Sequence, residues 1–440
     1  MACLQQALTF LLIPETFKTH HRIEWVITLK STIMKTPSTF NKLTAVAFGL
    51  MLFASCSKTE DAGLSNITSE RKDNAQALTM NEMVISSDLI LQDRVNGVDY
   101  IISNNVQVNA NLTIQPGVTI QFADGAGLQV NEEGSLTAVG ANGNIIYFTS
   151  KSGKRSTWKG ITVLSNGGKN MLSYCKIEHG GGTNSFGSAN VIVGSGTNAG
   201  AIEITNSEIT ASGSNGILVS EGSKLVGFVG NNIHTNSEFP VSMHITDAMS
   251  MDNANQYSKN GKEFVQLTGN ASSVITKDIM LVKTLEPFLI SGKIVAGNKF
   301  CIAAGSRVSM DYAAEVVIDG VAGNGSFCAV GTSAQPIFIS SIFNGTGIWN
   351  TIRFRSSNSS NNKIEYCTIS GGGSNQGNND GMVSVVNDNG GSTNIVVRNS
   401  NIINSAGTGI FIQNTNSAYN NDIISANTFS NNVKGNVHFE

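Results

Sequence analysis

The feature that most constrains this chain is a set of phrases that occurs twice in the same order. "NLTIQPGVTIQF" at 111–122 is answered by "KFCIAAGSRVSM" at 299–310, aligning Gly117 with Gly305 at a separation of 188 residues. "GSLTAVGANGNIIYF" is answered by "GSFCAVGTSAQPIFI", Gly134 with Gly325, at 191, and Trp158 meets Trp349 at the same 191. "SYCKIEHGGG" meets "EYCTISGGG", Tyr174 with Tyr366, at 192, and "NSEITASGSNGILV" meets "NSNIINSAGTGIFI", Asn206 with Asn399, at 193. Five matches in unbroken order, drifting by a few residues, mark a tandem duplication. The copies span 84–247 and 286–440.

Within each copy the phrases recur at intervals of roughly 20–25 residues, the range of solenoids. In the first phrase Leu112, Ile114, Ile120 and Phe122 alternate with polar residues, and Pro116-Gly117 breaks it with a turn. Only 13% of residues are charged and 46 are glycine, so Asn, Ser, Thr and Gly supply the polarity. That mixture favours short strands and tight corners over long helices, with Gly and Asn taking the left-handed bends. A coil built this way stacks each strand on its counterpart one rung on, giving parallel sheets around an aliphatic interior. The expected class is all-β, a duplicated right-handed parallel β-helix. The segment 248–285 breaks the phrasing and reads as an excursion loop or a cap between coils, which leaves the stacking of the copies open.

The phrases "LTIQPGVTIQF", "GSLTAVG", "IYF" and "WKGI" resemble those of parallel β-helix lipoproteins from the surface of Bacteroidota, over about residues 84–440. The N-terminus fits. From Met34, a basic start with Lys35 and Lys42, the apolar "LTAVAFGLMLFA" and the small-residue "ASC" resemble a lipoprotein signal at 34–55 with Cys56 as the lipid site. "CSKTED" is similar to the Lys-then-acidic tag of surface-displayed lipoproteins, which implies export to the outer face of the outer membrane. Residues 1–33 read as an over-extended start, and 56–83 as a flexible tether. Without residues 1–55 the chain keeps 23 Lys and Arg against 29 Asp and Glu, a net −6, which argues against a nucleic-acid partner. The lipid is then the only membrane contact.

Candidate chemistry is sparse. His179 stands beside a glycine triplet, and its counterpart is Gly371, so the scaffold does not need the imidazole; Glu178, its neighbour on a strand, should point to the other face. His234 and His244 add no cluster. Polysaccharide hydrolases and calcium-dependent lyases of this fold need grouped acids. The chain has no "NTD", "DD" or "GHG"; Asp247 and Asp252 close the first copy, and Asp380 and Asp388 with Arg353, Arg355, Lys363 and Arg398 are the densest charged set in the second. On stacked rungs these residues are candidates to share one face, as a weak catalytic set or as solvated charges. Trp158 and Trp349 are either packing residues or a duplicated platform for sugar rings. Cys175 and Cys367 read as core fillers. Cys301 and Cys328 replace Thr113 and Thr137 about one rung apart, close enough for a disulfide in an exported protein. No cofactor or metal is indicated. The expected function is non-catalytic binding of a polysaccharide or cell-surface glycan, with a polysaccharide lyase or glycoside hydrolase and a structural spacer as the alternatives.

Overall fold

The structure, a computed structural model, describes residues 76–440 apart from 82, 95, 168, 252–253, 271 and 375–380. Residues 1–75, and with them the signal segment, Cys56 and most of the expected tether, lie outside the described residues, as do Asp252 and Asp380. What is described is a parallel β-helix. Among the described residues forty short strands pair in parallel throughout, in five sheets. Sheet I has eight strands, from Leu78–Met80 to Gln256–Ser258. Sheet II has fourteen, from Met83–Ile85 to Thr428–Ser430. Sheets III, IV and V have six each. They begin at Leu89–Leu91, Ile279–Leu281 and Lys293–Ala296 respectively.

Strand alternation builds the core directly. On sheet I, Tyr100, Ile120, Phe148, Ile177, Ile209, Ile233 and Tyr257 lie in register on successive strands, all buried. Their neighbours Gln121, Thr149, Glu178, Thr210 and His234 face outward. Sharp corners between sheets are taken by left-handed residues at equivalent places: Tyr174 and Tyr366 have φ of 49° and 51°, as do Asn206 and Asn399. Gly117 and Gly305 are likewise equivalent, with φ of 89° and 76°.

The segment expected to separate the copies is itself coil. Val241, Val265 and Phe288 pair in register on sheet II, which therefore runs unbroken from one copy into the next. The coil also starts at Leu78, inside the expected tether. One feature of the junction lies outside any reading of the phrases. In the first copy the chain visits sheets I, II and III in turn; in the second it visits II, V and IV. The strand at Cys175–Glu178 belongs to sheet I, but its counterpart Cys367–Ser370 belongs to sheet II. The second copy thus continues the same coil one sheet out of phase.

A short 3-10 helix, Ile245–Ser250, sits at this slip, with Ile245 and Ala248 buried. Its Asp247 accepts from the backbone N–H of Leu225 at 3.1 Å and the Ser250 hydroxyl at 3.2 Å. Burial outweighs these bonds and the charges of Lys224 and Lys277, and raises the Asp247 carboxyl to about 6. Because the folded value exceeds the unfolded one near 4, the folded chain holds the proton more tightly. The resulting stability is fully present below about pH 4 and is lost as pH rises through 6. We expect Asp247→Asn to stabilise the protein at pH 7.5 by on the order of 1–2 kcal/mol and to change little at pH 4.5, in urea titrations at both pH values. A difference independent of pH would contradict this assignment.

Candidate functional site

The outer face of sheet V carries a groove of about 530 Å3. Its floor follows from strand alternation: Ile294, Val316, Ile318, Ile352 and Phe354 point into the core, which turns Lys293, Val295, Glu315, Val317, Arg353 and Arg355 outward. Ser272, Ser273 and Val274 line it from the preceding loop, and Val386 and Asp388 from a later rung. Adjacent rungs place opposite charges side by side. Glu315 lies 3.2 Å from Lys293 and 3.3 Å from Arg353. Arg355 donates to Asp388 at 2.6 Å and to Asp319 at 3.0 Å. Asp319 is almost fully buried and also accepts the backbone N–H groups of Val321 and Ala322, at 2.8 and 2.9 Å. The Asp388 hydrogen bond, backed by Asp319, holds the Arg355 guanidinium above its ordinary range despite partial burial.

The structure divides the charged set marked in the sequence. Arg353, Arg355 and Asp388 share the groove. Arg398 and Lys363 do not: they lie on sheet IV, beyond the bend that begins at Ser356, and Arg398 pairs with Asp422 at 3.1 Å. Lys293, Glu315 and Asp319 complete the groove and were not singled out, since neighbours on stacked rungs are distant in sequence. The signal that marks them is an outward charge at the same strand position of successive rungs.

His179 sits on the outer face of sheet I. Its φ of 66° matches that of Gly371, at 81°, so the position is a left-handed bend filled by different residues in the two copies. That bend also corrects the expectation for Glu178. Because His179 leaves the extended strand, the alternation fails there, and its Nδ1 lies 3.7 Å from the Glu178 carboxylate and 3.3 Å from the Thr149 hydroxyl. Lys176 bridges Glu208 at 3.1 Å and Glu178 at 3.5 Å, and His234 reaches Glu208 at 3.2 Å. Burial works to lower the Lys176 ammonium, but Glu208 and Glu178 together raise it. This is a row of mutually paired side chains along a sheet.

Trp158 and Trp349 are both fully buried, so neither can stack on a sugar. Burial pushes the Cys175 thiol up and the Cys367 thiol up to about 12, which makes both poor nucleophiles. Cys301 and Cys328 pair in register on sheet IV, Cα atoms 4.5 Å apart, and form a disulfide. Closing a loop of this sequence separation, 27, contributes about 3.5 kcal/mol. Among the described residues no three or more His, Cys, Asp or Glu side chains are grouped to hold a metal ion. No protein-family model matches the chain, and it matches neither a curated protein nor a solved structure.

Proposed function

We propose that this is an exported, lipid-anchored cell-surface protein of the Bacteroidota kind its phrases resemble, which binds a neutral polysaccharide on sheet V without cleaving it. The observation that carries the binding reading is the groove's charge lattice. Lys293, Arg353 and Arg355 balance Glu315, Asp319 and Asp388, each paired with another, above a floor of Val295, Val317 and Val386. A balanced lattice exerts little pull on a polyanion. It offers fixed donors and acceptors to vicinal hydroxyls, over the edges of largely buried valines. Asp319 and Asp388 are both engaged by Arg355, whereas a glycosidase needs a carboxyl free to carry a proton to its substrate. The disulfide supports export, since such bonds persist in oxidising compartments.

The test is a binding panel of neutral and anionic polysaccharides. We expect a neutral polymer to bind with an affinity that changes less than about twofold between about 50 and about 500 mM salt. Arg355→Ala should weaken it by about tenfold or more. Binding confined to uronate polymers and abolished by salt would refute this reading, and release of reducing or unsaturated ends would replace it with the lyase or hydrolase. For the anchor, Cys56→Ala should move the protein from the membrane pellet to the soluble fraction; retention in the pellet would sink the lipid assignment.

A further inference from the structure

A second groove, of about 260 Å3, opens on the outer face of sheet II in the first copy, lined by Asn105, Gln129, Lys159, Thr162 and Asn184 among others. Lys159 is the one charged side chain on its wall; amides and hydroxyls supply the rest, and Asn184 donates to the Thr162 hydroxyl at 3.1 Å. The strands beneath are the sequence counterparts of those beneath the sheet V groove. Asn105 corresponds to Lys293, Gly127 to Glu315, Gln129 to Val317 and Thr162 to Arg353. The duplicated scaffold therefore opens a groove at the same place in each copy and lines it differently.

The phase slip decides where these equivalent grooves face. Sheet II continues into the second copy, where its outer face presents Arg307, Phe338 and Thr368 rather than the sheet V groove. A polymer laid straight along sheet II from the first groove meets those residues. We propose that the protein carries two polysaccharide sites on different sides of one coil, and that it cross-links two glycan chains instead of gripping one chain twice. The inference rests on the sheet V groove being a glycan site, as argued above. Its own support is the amide and hydroxyl lining of the second groove, in which Lys159 is the single charge, and the change of sheet between the copies.

The experiment uses starch, dextran, mannan and arabinoxylan, with short oligosaccharides of whichever binds. Calorimetry on the oligosaccharide is expected to give two sites per protein. On the long polymer, light scattering should rise to a maximum and fall at excess protein. A Gln129→Ala/Lys159→Ala variant and an Arg353→Ala/Arg355→Ala variant should each keep one site and lose the scattering, with cooperative thermal melting showing that each still folds, at a lower temperature for the arginine variant because Asp319 loses its partner. A single site abolished by the arginine changes overturns the cross-linking proposal and leaves the sheet V reading standing. A single site abolished by the Gln129 and Lys159 changes overturns both, as does no binding to any of the four polymers.

Discussion

Trp158→Ala is expected to lower the stability of the protein by about 4 kcal/mol, and Trp349→Ala by a similar amount, in urea titration. The size follows from three losses at one place. Trp158 is fully buried, stacks on Phe122 at a ring separation of 4.0 Å, and donates its indole N–H to the Glu178 carbonyl at 2.9 Å; Trp349 makes the same bond to Ser370, also at 2.9 Å. Truncation leaves a large cavity and an unpaired carbonyl together. One glycine in each triplet after the Tyr-Cys phrases leaves room for these rings. A Cβ at Gly372 would lie 2.5 Å from Trp349, and one at Gly180 3.3 Å from Trp158. Gly372→Ala should therefore cost about 1–3 kcal/mol through overpacking, without touching the tryptophan itself. A loss below about 1 kcal/mol for Trp158→Ala would show that the indole is not a packing element.

The two tryptophans also show why the coil was legible in the sequence. A residue that fills the interior meets similar surroundings on equivalent rungs of both copies, so Trp158 and Trp349, and Cys175 and Cys367, stayed alike while outward residues diverged; Tyr174 and Tyr366 stayed alike at equivalent left-handed corners. Cys175 and Cys367 each take their backbone N–H to a serine hydroxyl at 3.1 Å, Ser207 in one copy and Ser400 in the other. The junction was not legible. Its strands Gln256–Ser258, Val265–Thr268 and Ile279–Leu281 are three or four residues long, and they repeat none of the phrases. Their place is set by pairing with the strands above and below, Val265 on Val241 and Phe288 on Val265. The groove was half legible for a related reason. Arg353, Arg355 and Asp388 were marked as a dense charged set, but Glu315 and Asp319 come from an earlier rung, and proximity in sequence is no guide to which rungs stack. Lys363 and Arg398 were drawn in by that proximity and lie beyond a corner.

Asn170→Ala is expected to cost about 4 kcal/mol, although asparagine is among the least apolar residues in the chain. Asn170 is 2% exposed and works as a clamp across three rungs. Its carbonyl accepts the Leu136 backbone N–H at 2.9 Å, and its amide donates to the Ser165 carbonyl at 3.1 Å and the Ala201 carbonyl at 3.0 Å. Asn362 repeats the arrangement in the second copy with Phe327 at 2.9 Å, Ser357 at 2.8 Å and Asn394 at 2.9 Å. At each place the chain turns a corner where backbone pairing is incomplete: the Ser165 and Ser357 carbonyls accept from Ala201 and Asn394 of the next rung, and the asparagine side chain adds the remaining bonds. Alanine takes this partner from the buried Leu136 N–H and Ala201 carbonyl, at about 1–3 kcal/mol each before relaxation, while the Ser165 carbonyl keeps the Ala201 N–H at 2.9 Å. Asn170→Asp should fare little better, because it keeps the acceptor and loses both donors. Hydrogen exchange separates this account from general loosening: the Leu136 amide should lose its protection in Asn170→Ala, while amides on distant rungs of the second copy keep theirs. If the Leu136 amide stays protected and the stability falls by less than about 1 kcal/mol, water has replaced the side chain and the clamp is dispensable.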